Sequence, residues 1–213
     1  MAFPRADLTV SSWAASASGA FPLSADSALR MLRDFNRMLP ALILPCMAAI
    51  LVLQTFRPRP WLLRPHKAIF LLTFYMLGPG LLIQVLKLLV GRARPYEIVE
   101  FGGQLPFTPT WQVSDACARS CSFASGESAS AIALLALALL VPVRWRKIAI
   151  AALVPAVVVF SLNRIAFGAH FLSDVVLAWF LMLWVMLWLW QVFHENGERI
   201  DAALRRRACR LRS

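Results

Sequence analysis

VVLAWFLMLWVMLWLWQVF, residues 175–193, carries no charged side chain and is interrupted by one amide, Gln191. Crossing the hydrocarbon core of a bilayer takes roughly 17–25 predominantly apolar helical residues. Four more charge-free runs precede it: Leu39–Phe56, Ala68–Leu86, Ser128–Val143 and Ile148–Asn163. The third and fourth are slightly short, so their ends carry polar residues into the membrane edge. The 213-residue chain is 60% hydrophobic and only 15% charged, against about 25% charged in an average soluble domain. The expected fold class is all-α, a polytopic transmembrane helical bundle of five or six spans.

The net charge of +11 is distributed in a way that argues against nucleic acid. Arg57, Arg59, Arg64 and Lys67 share one loop, and Arg144, Arg146 and Lys147 share another. Arg199, Arg205, Arg206, Arg207, Arg210 and Arg212 fill the C-terminal segment. With five spans these three segments fall on one side, which the positive-inside rule makes cytoplasmic; contact with anionic lipid is their secondary use. Segments 87–127 and 164–174 then lie on the outer face.

Residues 1–38 are expected to form an outer-face or interfacial N-terminal segment. Leu8–Leu23 is too rich in Ser and Ala to span, whereas Ala25–Leu39 reads as an amphipathic helix. Its Leu29, Leu32, Phe35 and Leu39 recur at helical spacing, with Arg30, Arg33 and Arg37 between them. This segment either lies flat on the outer surface or follows another helix upstream. No basic n-region with an apolar h-region and cleavage site is visible, so no signal peptide is expected. Residues 39–193 form the expected transmembrane catalytic domain and 194–213 a basic cytoplasmic tail.

Three motifs sit where apolar runs meet outer loops. In the first, Lys87-x6-Arg94-Pro95, proline biases Arg94 toward an extended backbone and takes it off the helix. A lysine point charge and an arginine fork suit phosphate oxygens, although Lys87, Arg92 and Arg94 also suit interfacial anchors. The second, Ser122-Phe123-Ala124-Ser125-Gly126-Glu127-Ser128, opens a span. Ser125 is an N-cap candidate, Gly126 admits close approach to the backbone, and free N–H groups at a helix start attract anions. Glu127 is an ionisable group at a membrane span, which is costly and marks function. In the third, Arg164-x5-His170-x3-Asp174, a helix beginning near Phe167 would put His170 and Asp174 on one face. Asp174 would then accept from one ring nitrogen and leave the other free as a nucleophile. His66 and His194 fall on the opposite side.

Cys117 and Cys121 share the outer loop, where an oxidising compartment permits a disulfide. They have no partner ligands at zinc-site spacing, and no metal or cofactor is expected. Cys46 lies inside a span, and Cys209 lies in the tail.

In order, and on one membrane face, the motifs resemble those of the type 2 phosphatidic acid phosphatase (PAP2) superfamily. That family's pattern is Lys-x6-Arg-Pro, Pro-Ser-Gly-His and Ser-Arg-x5-His-x3-Asp, and the resemblance covers roughly Ala68–Phe193. It implies metal-independent hydrolysis of phosphate monoesters or diphosphates through a phosphohistidine; with the orientation taken from the charges, the expected location is a bacterial inner membrane with the site facing the periplasm. Lys87, Arg94, Ser125, Gly126 and Arg164 would hold the phosphoryl group, His170 would attack and Asp174 would orient it. Ala124 departs from the family's Pro, Asn163 from its Ser, and Glu127 from the His that protonates the leaving oxygen. The Cys117-x3-Cys121-Ser-Phe-x-Ser-Gly-Glu form is similar to bacterial lipid A phosphatases. The partners implied are the bilayer and a phosphorylated membrane lipid, either a glycolipid or a polyprenyl phosphate. A lipid phosphotransferase is the alternative enzyme. A non-catalytic lipid-phosphate binding or transport protein is the alternative that Glu127 favours.

Overall fold

The computed structural model describes residues 4–110, 112–117 and 121–210, so Arg212 of the basic tail lies outside the described residues. Within them the chain is helical, with one isolated bridge between Ile98 and Leu105 and no strand. The helices are α1 (Pro4–Ala14), α2 (Ser27–Phe56), α3 (Pro65–Tyr75), α4 (Ile83–Val90), α5 (Gly126–Ala133), α6 (Ala136–Leu140), α7 (Val143–Ala166), α8 (Leu172–Glu195) and α9 (Gly197–Arg210). Four segments are long and apolar enough to cross a membrane: Ser27–Phe56, Pro65–Glu97, Val143–Ala166 and Leu172–Glu195.

Proline explains the one irregular span. Pro79 has no N–H to donate, and the ladder around it widens into a π turn over Met76–Leu82 that joins α3 to α4. Gly78 lets α8 press against this turn, because a Cβ there would stand 2.9 Å from Met182 Sδ.

The short pair α5 and α6 lies inside the bundle. Ala129, Ala131, Ala133, Ala136 and Ala138 are buried along it, and α5 packs against α2, α7 and α8. Small side chains are what allow helices to approach closely where lipid supplies no hydrophobic drive. The run 128–143 is therefore a short interior pair ending at Leu140. The run 148–163 is the middle of α7, which is 24 residues long. Apolar side chains such as Leu42, Val52, Phe180, Trp184 and Trp188 face outward, as they should when the solvent is lipid.

One expectation changes. The Arg30, Arg33 and Arg37 segment is not a separate helix ahead of a span at residue 39. Asp26 caps a single helix by accepting from Leu29 N at 2.9 Å, and that helix runs unbroken to Phe56. The arginines therefore occupy the upper turns of a membrane helix.

The basic segments gather at one end of the bundle. There Lys67 Nζ donates to Leu140 O at 2.9 Å. Asp201 of α9 takes His66 N at 2.9 Å and lies 3.0 Å from His66 Nδ1. Segments 91–125 and 164–172, α1 and the start of α2 occupy the opposite end.

Candidate active site

Gly91 ends α4 in the left-handed region, with φ of 60°, where a side chain would collide with the Ser114 carbonyl. The turn sends Arg92 inward. Arg92, for which an interfacial anchor was the alternative reading, is completely buried. Its Nε donates to Thr108 O at 2.8 Å, Nη1 to Asp174 Oδ1 at 2.7 Å and to Ser173 Oγ at 2.9 Å, and Nη2 to Asp7 Oδ2 at 2.8 Å. The guanidinium carbon lies 4.1 Å from the Phe171 ring centroid. Asp7, from α1, also accepts from Ser173 N at 2.9 Å and Ser173 Oγ at 2.5 Å.

Asp174 is the next link. It accepts from Phe171 N at 3.0 Å, which caps α8, and from Ser122 Oγ at 2.5 Å. The Ser122 carbonyl in turn lies 2.7 Å from His170 Nδ1. This corrects the expected direct contact between Asp174 and the imidazole. Residues 167–170 form a turn rather than the first turn of α8, with Gly168 at φ of 62° and Ala169 N donating to Arg164 O. His170 and Asp174 therefore share no helix face, and the carboxylate acts on the ring through Ser122.

A carbonyl oxygen can only accept, so Nδ1 carries the proton and Nε2 keeps its lone pair. Burial pushes the protonation of His170 well below the usual histidine range. The cations Lys87, Arg164 and Arg94 add to this, and the Ser122 carbonyl opposes it.

Nε2 faces a cavity of about 350 Å³ lined by Lys87, Arg94, Gly126, Glu127, His170 and Arg37, among others. Ser125 caps α5 as expected, its Oγ accepting from Ser128 N at 3.2 Å and donating to Ser128 Oγ at 2.9 Å. Its hydroxyl is thus spent on the helix start, and of the pair it is Gly126 that reaches the cavity. Arg164 is buried and ion-paired through Nε to Glu127, while its buried Nη1 has no hydrogen-bond partner.

Glu127 Oε1 accepts from Arg37 Nε at 2.6 Å and is also paired with Arg37 Nη2. Oε2 lies 3.8 Å from His170 Nε2, and the Glu127 backbone carbonyl accepts from Asn36 Nδ2 at 3.0 Å. Asn163, at the family's Ser position, ties α7 to α2 through Leu29 O at 3.0 Å. Sequence reasoning missed Asp7, Ser122 and Arg37 as site residues. Two of them left a sign, Arg37 in the arginine stripe on α2 and Ser122 as the first residue of the second motif, although no role was read for either.

The loop after α4 is laced to the end of that helix by Ser114 N to Val90 O, Cys117 N to Gly91 O and Ser122 N to Arg92 O. Cys117 and Cys121 are joined as a disulfide, with Cα atoms 5.5 Å apart, and brace the segment that delivers Ser122.

The arrangement comprises a neutral imidazole, a ring of cations and a helix start, all facing one cavity at the end of a membrane bundle. The PAP2 superfamily profile matches residues 68–198. The chain belongs to the PAP2 superfamily.

Among curated relatives, a "Lipid A 4'-phosphatase" of Rhizobium leguminosarum is 36% identical over 184 residues, covering 83% of this chain and 77% of the relative. Another so named, from Rhizobium etli, is 45% identical over 109 residues, covering 49% of this chain and 41% of the relative. A third, from Francisella tularensis subsp. novicida, is 35% identical over 133 residues, covering 60% and 58%. No solved structure matches the chain. This PAP2 protein is a multi-pass membrane phosphatase. Lys87, Arg94, Glu127, Arg164, His170 and Asp174 all fall within the matched residues, whereas Asp7, Arg30, Arg33 and Arg37 lie upstream of them.

Proposed function

We propose that this PAP2 protein removes a phosphate monoester from a membrane glycolipid of the lipid A type through a phosphohistidine on His170. The site would face the periplasm of a bacterial inner membrane. The observation that carries the mechanism is the 2.7 Å contact between His170 Nδ1 and Ser122 O, because it fixes the tautomer that a nucleophilic Nε2 needs.

The Nε2 lone pair attacks phosphorus, the bond from phosphorus to the lipid oxygen breaks, and that oxygen takes a proton. Water then cleaves the P–N bond and returns the free imidazole and inorganic phosphate. Lys87, Arg94 and Arg164 neutralise the equatorial oxygens, where most phosphoryl-transfer catalysis lies. The buried Arg164 Nη1 without a partner supports this role, since a phosphate oxygen would satisfy it. Glu127 Oε2 lies 3.8 Å from Nε2, beside the reacting group, and Glu127 is assigned to pass the leaving oxygen a proton taken up from water, its own carboxylate being paired with Arg37 and Arg164. Asp174 and Arg92 position Ser122 and, through it, the ring. The lipid A preference rests on the names of the relatives.

His170→Ala is expected to abolish phosphate release while the variant keeps its helical content and elution volume. Wild-type protein quenched during turnover should carry an acid-labile, base-stable phosphate on His170. Wild-type-like turnover by the variant would sink the mechanism. Lipid mass spectrometry of cells with and without the chain should show a glycolipid lighter by one phosphate.

A further inference from the structure

Beside the catalytic cavity lies a larger one, of about 540 Å³, lined by Arg30, Arg33, Arg37, Arg94 and Arg164 and by no acidic residue. Arg37 and Arg94 line both cavities, so the two adjoin. Five guanidiniums converging on one volume repel one another, and two carboxylates are paired with three of them. Glu127 pairs Arg37 and Arg164 from the catalytic side. Asp34 pairs Arg33 at 2.8 Å but is mostly exposed, where such a pair contributes little. Arg30 and Arg33 are held through Nε, on Ser24 O at 2.7 Å and on Asp34 respectively, which fixes their stems at the rim. Tyr96 and Phe167, also in the lining, offer flat apolar faces of the kind a sugar ring packs on.

We propose that this cavity is a second anion subsite, which binds a second phosphate carried by the same headgroup as the phosphate being cleaved. The proposal rests on reading the neighbouring pocket as the cleavage site. Arg30, Arg33 and Arg37 lie upstream of the residues matched by the family profile, so this half of the recognition surface comes from α2. The substrate class is then a doubly phosphorylated glycolipid rather than a singly phosphorylated lipid.

The test uses the full chain in detergent micelles and two glycolipids that differ only in the presence of the second phosphate. Wild type should cleave the doubly phosphorylated lipid with kcat/KM at least about tenfold higher, which is what one charge-assisted hydrogen bond supplies. In the Arg30→Ala/Arg33→Ala double variant that advantage should vanish through a raised KM, with the singly phosphorylated lipid cleaved within about twofold of wild type. Arg30→Lys/Arg33→Lys should restore part of it. Added inorganic phosphate should inhibit cleavage of the singly phosphorylated lipid; activation by it would mean that a separate anion fills the cavity and would overturn the shared-headgroup claim. Equal wild-type rates on the two lipids would overturn the subsite even where the double variant does not fold. Wild type that cleaves neither lipid would instead overturn the reading of the catalytic pocket.

Discussion

A histidine whose Nδ1 proton is fixed on a carbonyl, and whose surroundings are apolar and cationic, stays unprotonated as the medium turns acidic. Protonation of His170 is depressed by burial first and by Lys87, Arg164 and Arg94 second. The free base therefore persists below the ordinary histidine value of about 6.5. The acid limb of kcat/KM, which reports the free enzyme, is expected below that value. Ring-nitrogen NMR of the free protein should likewise find His170 neutral there, and a resonance titrating near about 6.5 would contradict it. Glu127→Gln should slow alkyl phosphates by roughly 10²-fold or more, the contribution typical of a general acid, and activated aryl phosphates far less. Equal losses on both would remove the proton-transfer role and leave Glu127 as a holder of Arg37 and Arg164. The residues with chemistry were legible from their order in the chain, but their wiring was not. Four-residue spacing suggested a direct link from Asp174 to His170. The link runs through Ser122 because Gly168 turns the chain before α8 starts; a glycine there marks the end of α7, but nothing local announces that Ser122 fills the gap.

At the level of elements, α1 shows why the N-terminal segment was hard to read. PRADLTVSSWA has neither the length of a span nor a strong apolar stripe, so its placement depends on tertiary contacts: Asp7 with Arg92 and Ser173, and Leu8 against Ala93, Ile98 and Phe171. Arg92 is fully buried, and removing one partner of a buried ion pair typically costs about 3–5 kcal/mol. Asp7→Ala is expected at the low end of that range, about 3 kcal/mol, because Asp174 still pairs with the guanidinium. It should also lower kcat more than it changes KM, as fits a positioning residue, and Asp7→Asn should recover part of both. Thermal unfolding in detergent together with steady-state kinetics measures this; an unchanged kcat would detach α1 from the site. α2 carries the opposite lesson. Its Leu and Arg periodicity was visible, but Pro40 and Pro45 disguised the continuity of a helix that lipid and neighbouring helices can hold straight.

For the whole molecule, charge and hydropathy were the most reliable guides, because a bilayer leaves a chain few alternatives. Basic loops grouped at one end and the three motifs at the other before any contact was known. The short interior pair α5 and α6 was the exception, since its alanine-rich run of residues resembles a span and only packing shows that it is enclosed by others. The proposed orientation predicts that a membrane-impermeant thiol reagent, applied from the periplasmic side, labels Gln104→Cys and leaves Arg206→Cys unlabelled. The reverse pattern would invert the molecule. The clasp between Asp7 and Ser173 also bears on biosynthesis. Its partners are separated by 166 positions, and closing so long a loop is the slow, entropically costly kind of step. A ribosome must deliver nearly every span before Asp7 meets Ser173, so the catalytic end is assembled last. A chain stalled short of α8 would leave Asp7 with Arg92 but not Ser173 to hold.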